Sequence, residues 1–404
     1  MRKTLTLVLA LLFCNITFAQ QALWGGEPIV SPEIHDNNTV TFRLNAPNAQ
    51  KVEITGDFLP TQKMEAPMGE FDVPGVASLV KNDKGVWEYT TAAPLVSELY
   101  SYSFIVDGIR VNDPANVNMI RDVATITNVF IIPGNPGDLY SVNDVKHGTV
   151  ARRWYDSPTL EEQRRITIYT PPAYEDNNQS YPVLYLLHGS GGDEEAWISL
   201  GRTAQIIDNL IAQGKAEPMI IVMPNGHTQN TAAPTETNRA YNPAMGGGPR
   251  KAVASMEDSF GDIIAFVESN YRVIKDKEHR AIAGLSMGGM HSSAISAQYP
   301  NMFNYVGIFS APPIATMRMM AESDSERAKY VEEFAEKLKV QQNNGFALYW
   351  IACGDTDFLY QGVIDSMKKM DEIGFNYTYR ESGEGHIWKN WRIYLSEFIP
   401  MLFK

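Results

Sequence analysis

The fold of the second half of the chain is predicted from the stretch HRAIAGLSMGGMHSSAISAQYP, residues 279–300. Its apolar run Ala281–Ala283 predicts a short buried strand, and the small residues Met290–Gln298 predict a helix. Ser286 stands between them, with a glycine two positions before it and another two positions after it. Glycines at these places let the chain bend sharply without a Cβ clash. The stretch therefore predicts a strand, a tight turn that carries the serine, and a helix.

The pentapeptide Gly284–Gly288 fits G-x-S-x-G, the nucleophile elbow of α/β-hydrolases. In this motif the hydroxyl projects near the N-terminus of the following helix, where partial positive charge favours a developing anion. The alternative is a tight turn with an incidental serine. A base, an acid and an oxyanion hole elsewhere in the chain would favour the catalytic interpretation.

A serine hydroxyl needs a general base, and in α/β-hydrolases the base is a histidine that follows the serine and the acid in the chain. Two histidines follow Ser286, His291 and His386. His291 falls on the same predicted helix and is expected to point away from the elbow. His386 lies in a glycine-bracketed loop before the C-terminal helix, so we predict that it is the base. A surface-loop histidine is the alternative.

The acid is predicted in IACGDTDFLY, residues 351–360, at the end of another apolar strand. Asp355 and Asp357 compete for this role. The residues after Asp357 begin a helix-like stretch, and the acid is expected just past the strand end. Position therefore favours Asp357.

An oxyanion hole needs two backbone N–H groups aimed at one point. Met287, directly after the predicted nucleophile, supplies the first. The second is expected from LYLLHGSGGDEEAW, residues 184–197, in which His-Gly-Ser-Gly-Gly resembles the HGGG-type motif. We predict the N–H of Ser190 as the second donor.

Trp197, Trp388 and His227 are predicted to bind substrate. Trp197 follows the oxyanion loop and Trp388 follows His386, as does Trp391, so indole rings are expected near the cleft. His227, in MPNGHTQN, is expected to line the cleft. For the tryptophans the alternative is a place in the core, and for His227 it is an ordinary loop position.

Composition limits the partners of the chain. The 404 residues are 44% hydrophobic and 20% charged, as expected for a globular protein of two or three domains. The formal net charge of -13 argues against nucleic acid and against anionic membrane surfaces. A neutral polymer is compatible with this charge.

The histidine-containing segments lack the spacing of a metal site, so we predict neither a metal nor another cofactor. The glycine-rich stretch Ala244–Arg250 follows no predicted strand. It is interpreted as a mobile loop near the site and not as a phosphate-binding loop.

The first 19 residues have the pattern of a signal peptide. A basic start, an apolar run from Leu5 to Phe18 and a small residue, Ala19, at the expected cleavage point form this pattern. The predicted location is secreted or periplasmic. Lipoprotein anchoring at Cys14 is an alternative, although Phe13 stands where a small residue is expected. No later segment approaches a membrane-spanning length, so no membrane insertion is predicted.

The pattern of apolar and polar residues changes near residue 140. Residues 30–132 alternate apolar and polar side chains in short runs, which predicts an all-β sandwich. From residue 148 apolar strands alternate with helical stretches, which predicts a doubly wound α/β domain with a mainly parallel sheet. The predicted domains are 1–19, the signal peptide; 20–140, the β-sandwich; and 141–404, the α/β-hydrolase domain.

The segments YPVLYLLHGSGGDEEAW, IAGLSMGGM, IACGDTDFLY and GEGHIWKNWR resemble carbohydrate esterase family 1, in particular feruloyl esterases and acetyl xylan esterases. The resemblance covers about residues 148–404. It implies the same nucleophile, acid, base and oxyanion donors as above, and so supports Asp357 over Asp355. VTFRLNAPNAQKVEITGDF and LYSYSFIVDG, in the first half, are similar to the immunoglobulin-like, Early-set carbohydrate-binding modules of family 48.

The resemblance implies a secreted serine esterase that removes feruloyl groups, and as a second substrate acetyl groups, from arabinoxylan-type plant cell-wall polysaccharides. The alternatives are an acetyl xylan esterase, a siderophore-ester hydrolase, and a carbohydrate-binding protein with a silent hydrolase domain. No predicted catalytic residue lies in residues 20–140, so this part is expected to affect polymer binding or stability more than chemistry. The oligomeric state is not predicted.

Overall fold

A computed structural model describes residues 29–66, 69–234, 236, 253–315 and 323–404. The predicted signal peptide, residues 1–19, and the glycine-rich stretch Ala244–Arg250 lie outside the described residues. The chain divides into two compact units. One comprises the residues up to 95 together with 103–117, and the other comprises 96–102 together with 118–404.

The described part of the first unit is built of β-strands. The strands that begin before residue 118 are β1 (Glu33–Ile34), β2 (Val40–Asn45), β3 (Val52–Gly56), β4 (Gln62–Ala66), β5 (Gly69–Val73), β6 (Val76–Ser78), β7 (Val80–Lys81), β8 (Val86–Thr90), β9 (Glu98–Val106) and β10 (Ile109–Val111). One antiparallel sheet has the order β1-β2-β8-β7, and β3 pairs with β6. Val40, Phe42 and Leu44 alternate along β2 and are all buried. The N-terminal part is thus all-β, as the period of two predicts.

A β-hairpin belongs to the second unit. It consists of β11 (Met119–Asp122) and β12 (Thr125–Ile132), which pair antiparallel. β12 also pairs with the first half of β9, where Ile132 lies opposite Glu98. The hairpin buries Ile120 and Val129 in a core cluster of the second unit. The second compact unit therefore includes residues before 140, the predicted end of the β-sandwich domain. The predicted domain boundaries stay a prediction.

The second unit contains an eight-stranded sheet. Its strands are β13 (Thr149–Ser157), β14 (Glu162–Thr170), β15 (Val183–Leu187), β16 (Ile220–Pro224), β17 (Arg280–Leu285), β18 (Tyr305–Phe309), β19 (Leu348–Gly354) and β20 (Thr378–Ser382). The order is β13-β14-β16-β15-β17-β18-β19-β20. The pairings of β14 with β13 and β16 are antiparallel, and the others are parallel. The predicted mainly parallel sheet is confirmed.

Helices of the second unit cover this sheet. They are α1 (Gly137–Tyr140), α2 (Ala196–Ser199), α3 (Thr203–Ala212), α4 (Met256–Asn270), α5 (Met287–Gln298), α6 (Asp324–Asn343), α7 (Tyr360–Glu372) and α8 (Trp388–Phe398), with 3₁₀ turns at Tyr174–Asp176 and Ile399–Met401. In the described parts of the chain, no helix combines the length and the apolar character needed to cross a bilayer.

The central strands are buried on both faces. Val183, Tyr185 and Leu187 of β15 lie in one hydrophobic cluster, whereas Leu184 and Leu186 lie in another. The first cluster includes side chains from α4 and α5, and the second includes side chains from α3 and α8. Because successive side chains of a strand point to opposite faces, two covering layers explain why these strands are continuously apolar in sequence.

The parallel register brings several strand ends to one edge of the sheet. Leu187 pairs with Gly284, Leu285 with Phe309, and Gly354 with Ser382. The loops that follow β15, β17, β19 and β20 therefore emerge at the same edge. Ligands of open α/β sheets bind at this carboxyl edge.

Candidate active site

Ser286 occupies the turn between β17 and α5. Its backbone has φ 52° and ψ -122°, outside the regions that L-residues normally adopt. Ser286 N–H donates to the Phe309 carbonyl oxygen at 2.8 Å, which ties the turn to the end of β18. The predicted strand–turn–helix is confirmed, and the strain lies at the predicted nucleophile.

The two glycines of the motif are required by close backbone approach. A Cβ on Gly284 would lie 2.8 Å from the Leu187 carbonyl oxygen, and a Cβ on Gly288 would lie 2.5 Å from that of His188. Real Cβ atoms essentially never come closer than 3.0 Å to such atoms. Glycine at both positions thus lets the elbow pack directly against the end of β15.

The Ser286 hydroxyl is free of a capping role. Ser286 is the N-cap of α5, yet its side chain makes no capping hydrogen bond. A serine at this position usually accepts a hydrogen bond from the second or third amide of the helix. The hydroxyl is therefore available for chemistry at the helix N-terminus, where the residue is 7% exposed.

The structure brings Asp357 and His386 together. The Asp357 carboxylate lies 2.9 and 3.0 Å from His386 Nδ1, and it also accepts the N–H of Leu359 at 2.9 Å. Asp357 is buried, whereas Asp355 is exposed. Of the two competing carboxylates, Asp357 is thus the one that meets the imidazole.

The contact with Asp357 fixes the imidazole of His386. A proton on Nδ1 donates to the carboxylate, so Nε2 is left as the basic nitrogen. The ring is flanked by Phe358, with centroids 4.5 Å apart, and by Trp391, edge-to-face at 4.9 Å. Packing on both sides restricts the orientation of the ring.

Asn390 supports the loop that carries His386. Its side-chain N–H groups donate to the carbonyl oxygens of Gly383 and Gly385 at 3.1 and 3.0 Å. Sequence reasoning missed this residue, because a lone asparagine four positions after a histidine has no distinguishing pattern.

Ser286 and His386 stand at the same sheet edge without a direct hydrogen bond. Among the described residues, the hydrogen bonds of the His386 ring are those to Asp357. Nucleophile and base are often further apart in a ligand-free enzyme than in its substrate complex. The assignment of catalytic roles to Ser286, Asp357 and His386 stays a prediction.

The predicted oxyanion donors are unpaired in the described structure. Within the described residues, no backbone or side-chain acceptor takes the N–H of Ser190 or of Met287. Met287 is the first residue of α5, and Ser190 lies in the loop after β15. Gly189 approaches the elbow so closely that its Cβ would lie 3.2 Å from the Ser286 Cβ. Both free amides are thus on segments that meet at Ser286.

Two buried histidines shape the oxyanion loop. His188 Nε2 accepts the Gly226 N–H at 2.8 Å, and Nδ1 lies 2.7 Å from the Gly189 carbonyl oxygen. Since Nε2 accepts, the proton is on Nδ1 and the ring is neutral. Burial lowers the pKa of His188 to about 4, despite the favourable contact with Gly189.

His227 holds the neighbouring part of this loop. Its Nε2 accepts the N–H of Gly191 at 3.0 Å. Burial, followed by the nearby His188 and His291, lowers the pKa of His227 to about 3. His227 is buried, so its position fits support of the loop better than the predicted contact with substrate.

The three tryptophans do not share one environment. Trp197 is 1% exposed and its indole N–H donates to the Leu187 carbonyl oxygen, so it is a core residue, contrary to the predicted substrate-binding role. Trp391 is buried and donates to Ser310. Trp388 is partly exposed and packs edge-to-face on both other indoles. Of the three, Trp388 has surface available for a ligand.

Metal ligands are not clustered in the described residues. No group of three or more His, Cys, Asp or Glu side chains among them is placed to hold a metal ion. Independence from metals and cofactors stays a prediction.

Residues 157–402 match the Esterase family model, which covers more than half of the chain. The chain belongs to the Esterase family. In this Esterase family member, residues 28–118 match carbohydrate-binding module 48, the isoamylase N-terminal domain.

Two curated relatives of this Esterase family member are larger proteins. It is 28% identical over 381 residues to the endo-1,4-beta-xylanase/feruloyl esterase of Xylanibacter ruminicola, with 92% of this chain and 46% of that protein aligned. With the endo-1,4-beta-xylanase Y of Acetivibrio thermocellus it shares 23% identity over 278 residues, 63% of this chain and 23% of that protein. The chain thus spans less than half the length of either relative.

Solved structures have the same fold. A ferulic acid esterase is 29% identical and superposes with a TM-score of 0.51, covering 63% of this chain and 97% of that one. The enterobactin esterase of Shigella flexneri is 15% identical, with a TM-score of 0.56 over 90% of this chain and 92% of that one. The matches confirm the resemblance of the two halves to feruloyl esterases and to family 48 modules.

Proposed function

We propose that this protein is a secreted serine esterase that hydrolyses feruloyl esters on arabinoxylan-type plant polysaccharides. The observation that carries the proposal is the Asp357–His386 pair at the sheet edge where the elbow presents Ser286. Membership of the Esterase family and the feruloyl esterase relative support it. Acetyl groups on the same polymers are the second substrate.

The first half of the reaction forms an acyl-enzyme. Ser286 Oγ attacks the ester carbonyl carbon while His386 Nε2 takes the hydroxyl proton. The resulting oxyanion accepts hydrogen bonds from the backbone N–H groups of Ser190 and Met287. These N–H groups have no other acceptor among the described residues. As the tetrahedral intermediate collapses, the C–O bond to the sugar breaks and His386 gives the proton to the leaving sugar oxygen.

The second half releases the acid. Water attacks the acyl-enzyme carbonyl, and His386 takes one of its protons. Collapse of the second tetrahedral intermediate breaks the bond to Ser286 Oγ, which is reprotonated by His386. Asp357 keeps the imidazole in one orientation and stabilises its positive charge in both halves.

The aromatic residues beside His386 support a phenolic acyl group. Phe358 is 59% exposed and Trp388 is partly exposed, so both can contact a planar ring. An aromatic contact adds about 1 kcal/mol to the free energy of burying the ring, which itself contributes roughly 2 kcal/mol. This free energy, which an acetyl group does not gain, gives a preference of roughly tenfold to several-hundredfold in kcat/KM for feruloyl over acetyl esters.

The polymer and the location are supported by sequence. Residues 28–118 match a carbohydrate-binding module, and the relative from Xylanibacter ruminicola is named for xylanase and feruloyl esterase activities. The signal-peptide pattern of residues 1–19 supports export of the protein from the cytoplasm. Plant polysaccharides are found outside the cell.

The test compares kcat/KM for feruloyl-arabinose with that for acetylated xylan, in the wild type and in two matched tryptophan variants. Trp388→Ala is expected to lower kcat/KM for the feruloyl ester roughly tenfold and to leave deacetylation nearly unchanged. Trp154→Ala, which removes an indole that is 44% exposed on β13, is the control and should change neither. Efficient deacetylation without ferulate release would contradict the proposed substrate.

A further inference from the structure

The hairpin of β11 and β12 lies beside the oxyanion loop, although neither family match includes it. The carbohydrate-binding-module match ends at residue 118 and the Esterase match begins at residue 157. The hairpin, residues 119–132, lies between them in the sequence. It belongs to the same compact unit as Ser286 and His386. Its tip, Arg121–Val123, supplies two contacts to the oxyanion loop.

The first contact is an ion pair. Arg121 Nη2 lies 2.6 Å from Asp193 Oδ2, and Arg121 Nη1 donates to the Val123 carbonyl oxygen at 3.0 Å. Asp193 is buried, and its other carboxylate oxygen accepts the N–H of Glu195 at 3.0 Å. Arg121 thus neutralises a buried carboxylate three residues after Ser190, a predicted oxyanion donor.

The second contact is made by a strained residue. Val123 has φ 50°, which is a rare conformation for a β-branched residue. Its two methyl groups cover Gly191, since a Cβ on Gly191 would lie 3.0 and 3.1 Å from them. Residues held in such conformations concentrate at functional sites.

Gly191 is therefore fixed from two sides. The Val123 methyl groups border the space that a Cβ on Gly191 would occupy, and the Gly191 N–H donates to His227 Nε2 at 3.0 Å. Gly191 is the residue after Ser190, so these contacts limit how far the Ser190 N–H can move.

We infer that the hairpin tip, Arg121–Val123, is a positioning element of the esterase site, which holds the oxyanion loop through Asp193 and Gly191. The inference rests on the proposed function. An oxyanion donor acts when it lies about 2.7–3.1 Å from the developing oxyanion, and losing one costs about 10²–10³ in kcat. Displacing the loop should therefore lower kcat while the ground-state affinity for a small ester changes little.

The test uses the full chain and the variants Arg121→Ala, Arg121→Lys and Val123→Gly. Four quantities are measured: kcat and KM for 4-nitrophenyl acetate, the rate at which a fluorophosphonate probe labels Ser286, and the midpoint of thermal unfolding. Lys369→Ala is the control, because it removes an ion pair of the same 2.6 Å length, with Glu332, between helices α7 and α6.

Arg121→Ala is expected to lower kcat and the labelling rate by about 10²-fold, with KM within about threefold of the wild type. Arg121→Lys should recover part of the loss. Val123→Gly is the sharpest variant, because glycine accepts φ 50° without strain. It should lower kcat about tenfold without lowering the unfolding midpoint.

Unchanged kcat and labelling in folded Arg121→Ala and Val123→Gly proteins would overturn the inference. So would losses that follow the unfolding midpoint, since a purely structural role predicts them. If Arg121→Ala fails to fold, the kcat and labelling rates of Arg121→Lys and Val123→Gly test the inference. A wild type that reacts with the probe but releases no ferulate would refute the proposed substrate alone, and the labelling rates would still test the hairpin.

Discussion

Asp355 and Asp357 stand two positions apart at the end of β19, yet one carboxylate meets the imidazole of His386. Asp357 is buried, and its carboxylate also accepts the amide of Leu359 at 2.9 Å. This local hydrogen bond sets the carboxylate across from the histidine loop. Asp355 is exposed at the same sheet edge.

Asp357→Asn should therefore lower kcat by roughly 10⁴-fold, because an amide leaves the imidazole in the wrong tautomer. Asp355→Asn, which makes the same chemical change nearby, should lower kcat less than about threefold, since surface substitutions are usually small in effect. Steady-state kinetics on one soluble ester compares the two variants. Equal losses, or a larger loss for Asp355→Asn, would contradict the assignment.

The lowered pKa of His227 predicts that the stability of the protein depends on pH. Its pKa in the folded protein is about 3, against an ordinary value of 6.5, chiefly because it is buried. Between these two values the unfolded chain binds a proton that the folded protein does not, so the free energy of unfolding falls as pH decreases from about 6.5 toward 3. Above about 6.5 both states are neutral at this group and the contribution is constant.

His227→Gln should reduce this acid sensitivity, since glutamine can accept the Gly191 N–H without titrating. The measurement is the unfolding free energy at pH 7 and pH 5 for the wild type and the variant. His279→Gln replaces a half-exposed histidine and serves as the control. An identical drop between the two pH values in wild type and His227→Gln would refute the role of His227.

At the scale of single elements, the elbow depends on backbone contact between β15 and the start of α5. A Cβ on Gly288 would lie 2.5 Å from the His188 carbonyl oxygen and closer still to that of Leu187. The obstructing atoms belong to the backbone of Leu187, the last residue of β15, and of His188, the first residue of the oxyanion loop. The loop must therefore shift if a side chain is added.

Gly288→Ala should lower the free energy of unfolding by at least about 2 kcal/mol, as overpacking does, and should also lower kcat. Gly261→Ala is the matched control, because a Cβ there meets nothing within 4 Å on helix α4. That variant should gain about 0.5–1 kcal/mol from better helix propensity. Chemical denaturation of both variants checks the contrast, and an unaffected Gly288→Ala protein would argue against the packed elbow.

Local patterns predicted most of the elements that carry the site. The elbow, the strand ends before Asp357 and the histidine loop follow from apolar runs, glycines and turns, which act over a few residues. The antiparallel pairing of β14 with β13 and β16 was not predicted, because a buried strand has the same apolar pattern in either orientation.

Contacts between distant segments could not be predicted in this way. Trp197 is four residues after Asp193, yet its indole N–H bonds Leu187 inside the core, which sequence adjacency does not reveal. Arg121 pairs with Asp193 from 72 positions away in the chain. The expectation that residues 20–140 affect binding or stability more than chemistry did not include this hairpin contact.

At the scale of the whole molecule, a buried ion pair links the start of β9 to helix α8. Arg392 Nη2 and Nε donate to Glu98 Oε1 at 2.9 and 3.2 Å, across 294 positions of sequence. The same guanidinium donates to the carbonyl oxygens of Leu99 and Leu200. Helix α8 begins directly after the histidine loop, so this pair anchors the element that follows His386.

Glu98→Gln should lower the free energy of unfolding by about 3–5 kcal/mol, because it leaves the buried Arg392 charge without its counter-ion. The double variant Glu98→Leu with Arg392→Met should lose less than the single variant, since it buries no charge. Chemical denaturation compares them. A double variant less stable than Glu98→Gln would show that the pair itself, and not the avoidance of an isolated charge, supplies the stability.

Under the proposed function, Ser286 is the nucleophile of an esterase that acts on feruloylated polysaccharide. The most direct measurement is ferulic acid release from feruloylated arabinoxylan by the wild type and by Ser286→Ala, with thermal unfolding as the check that both are folded. The wild type should release ferulic acid, and Ser286→Ala should lose on the order of 10⁶-fold in kcat, as comparable triads do. A folded Ser286→Ala protein that keeps more than about one hundredth of the wild-type rate, far above the residual expected for a lost nucleophile, would contradict the claim.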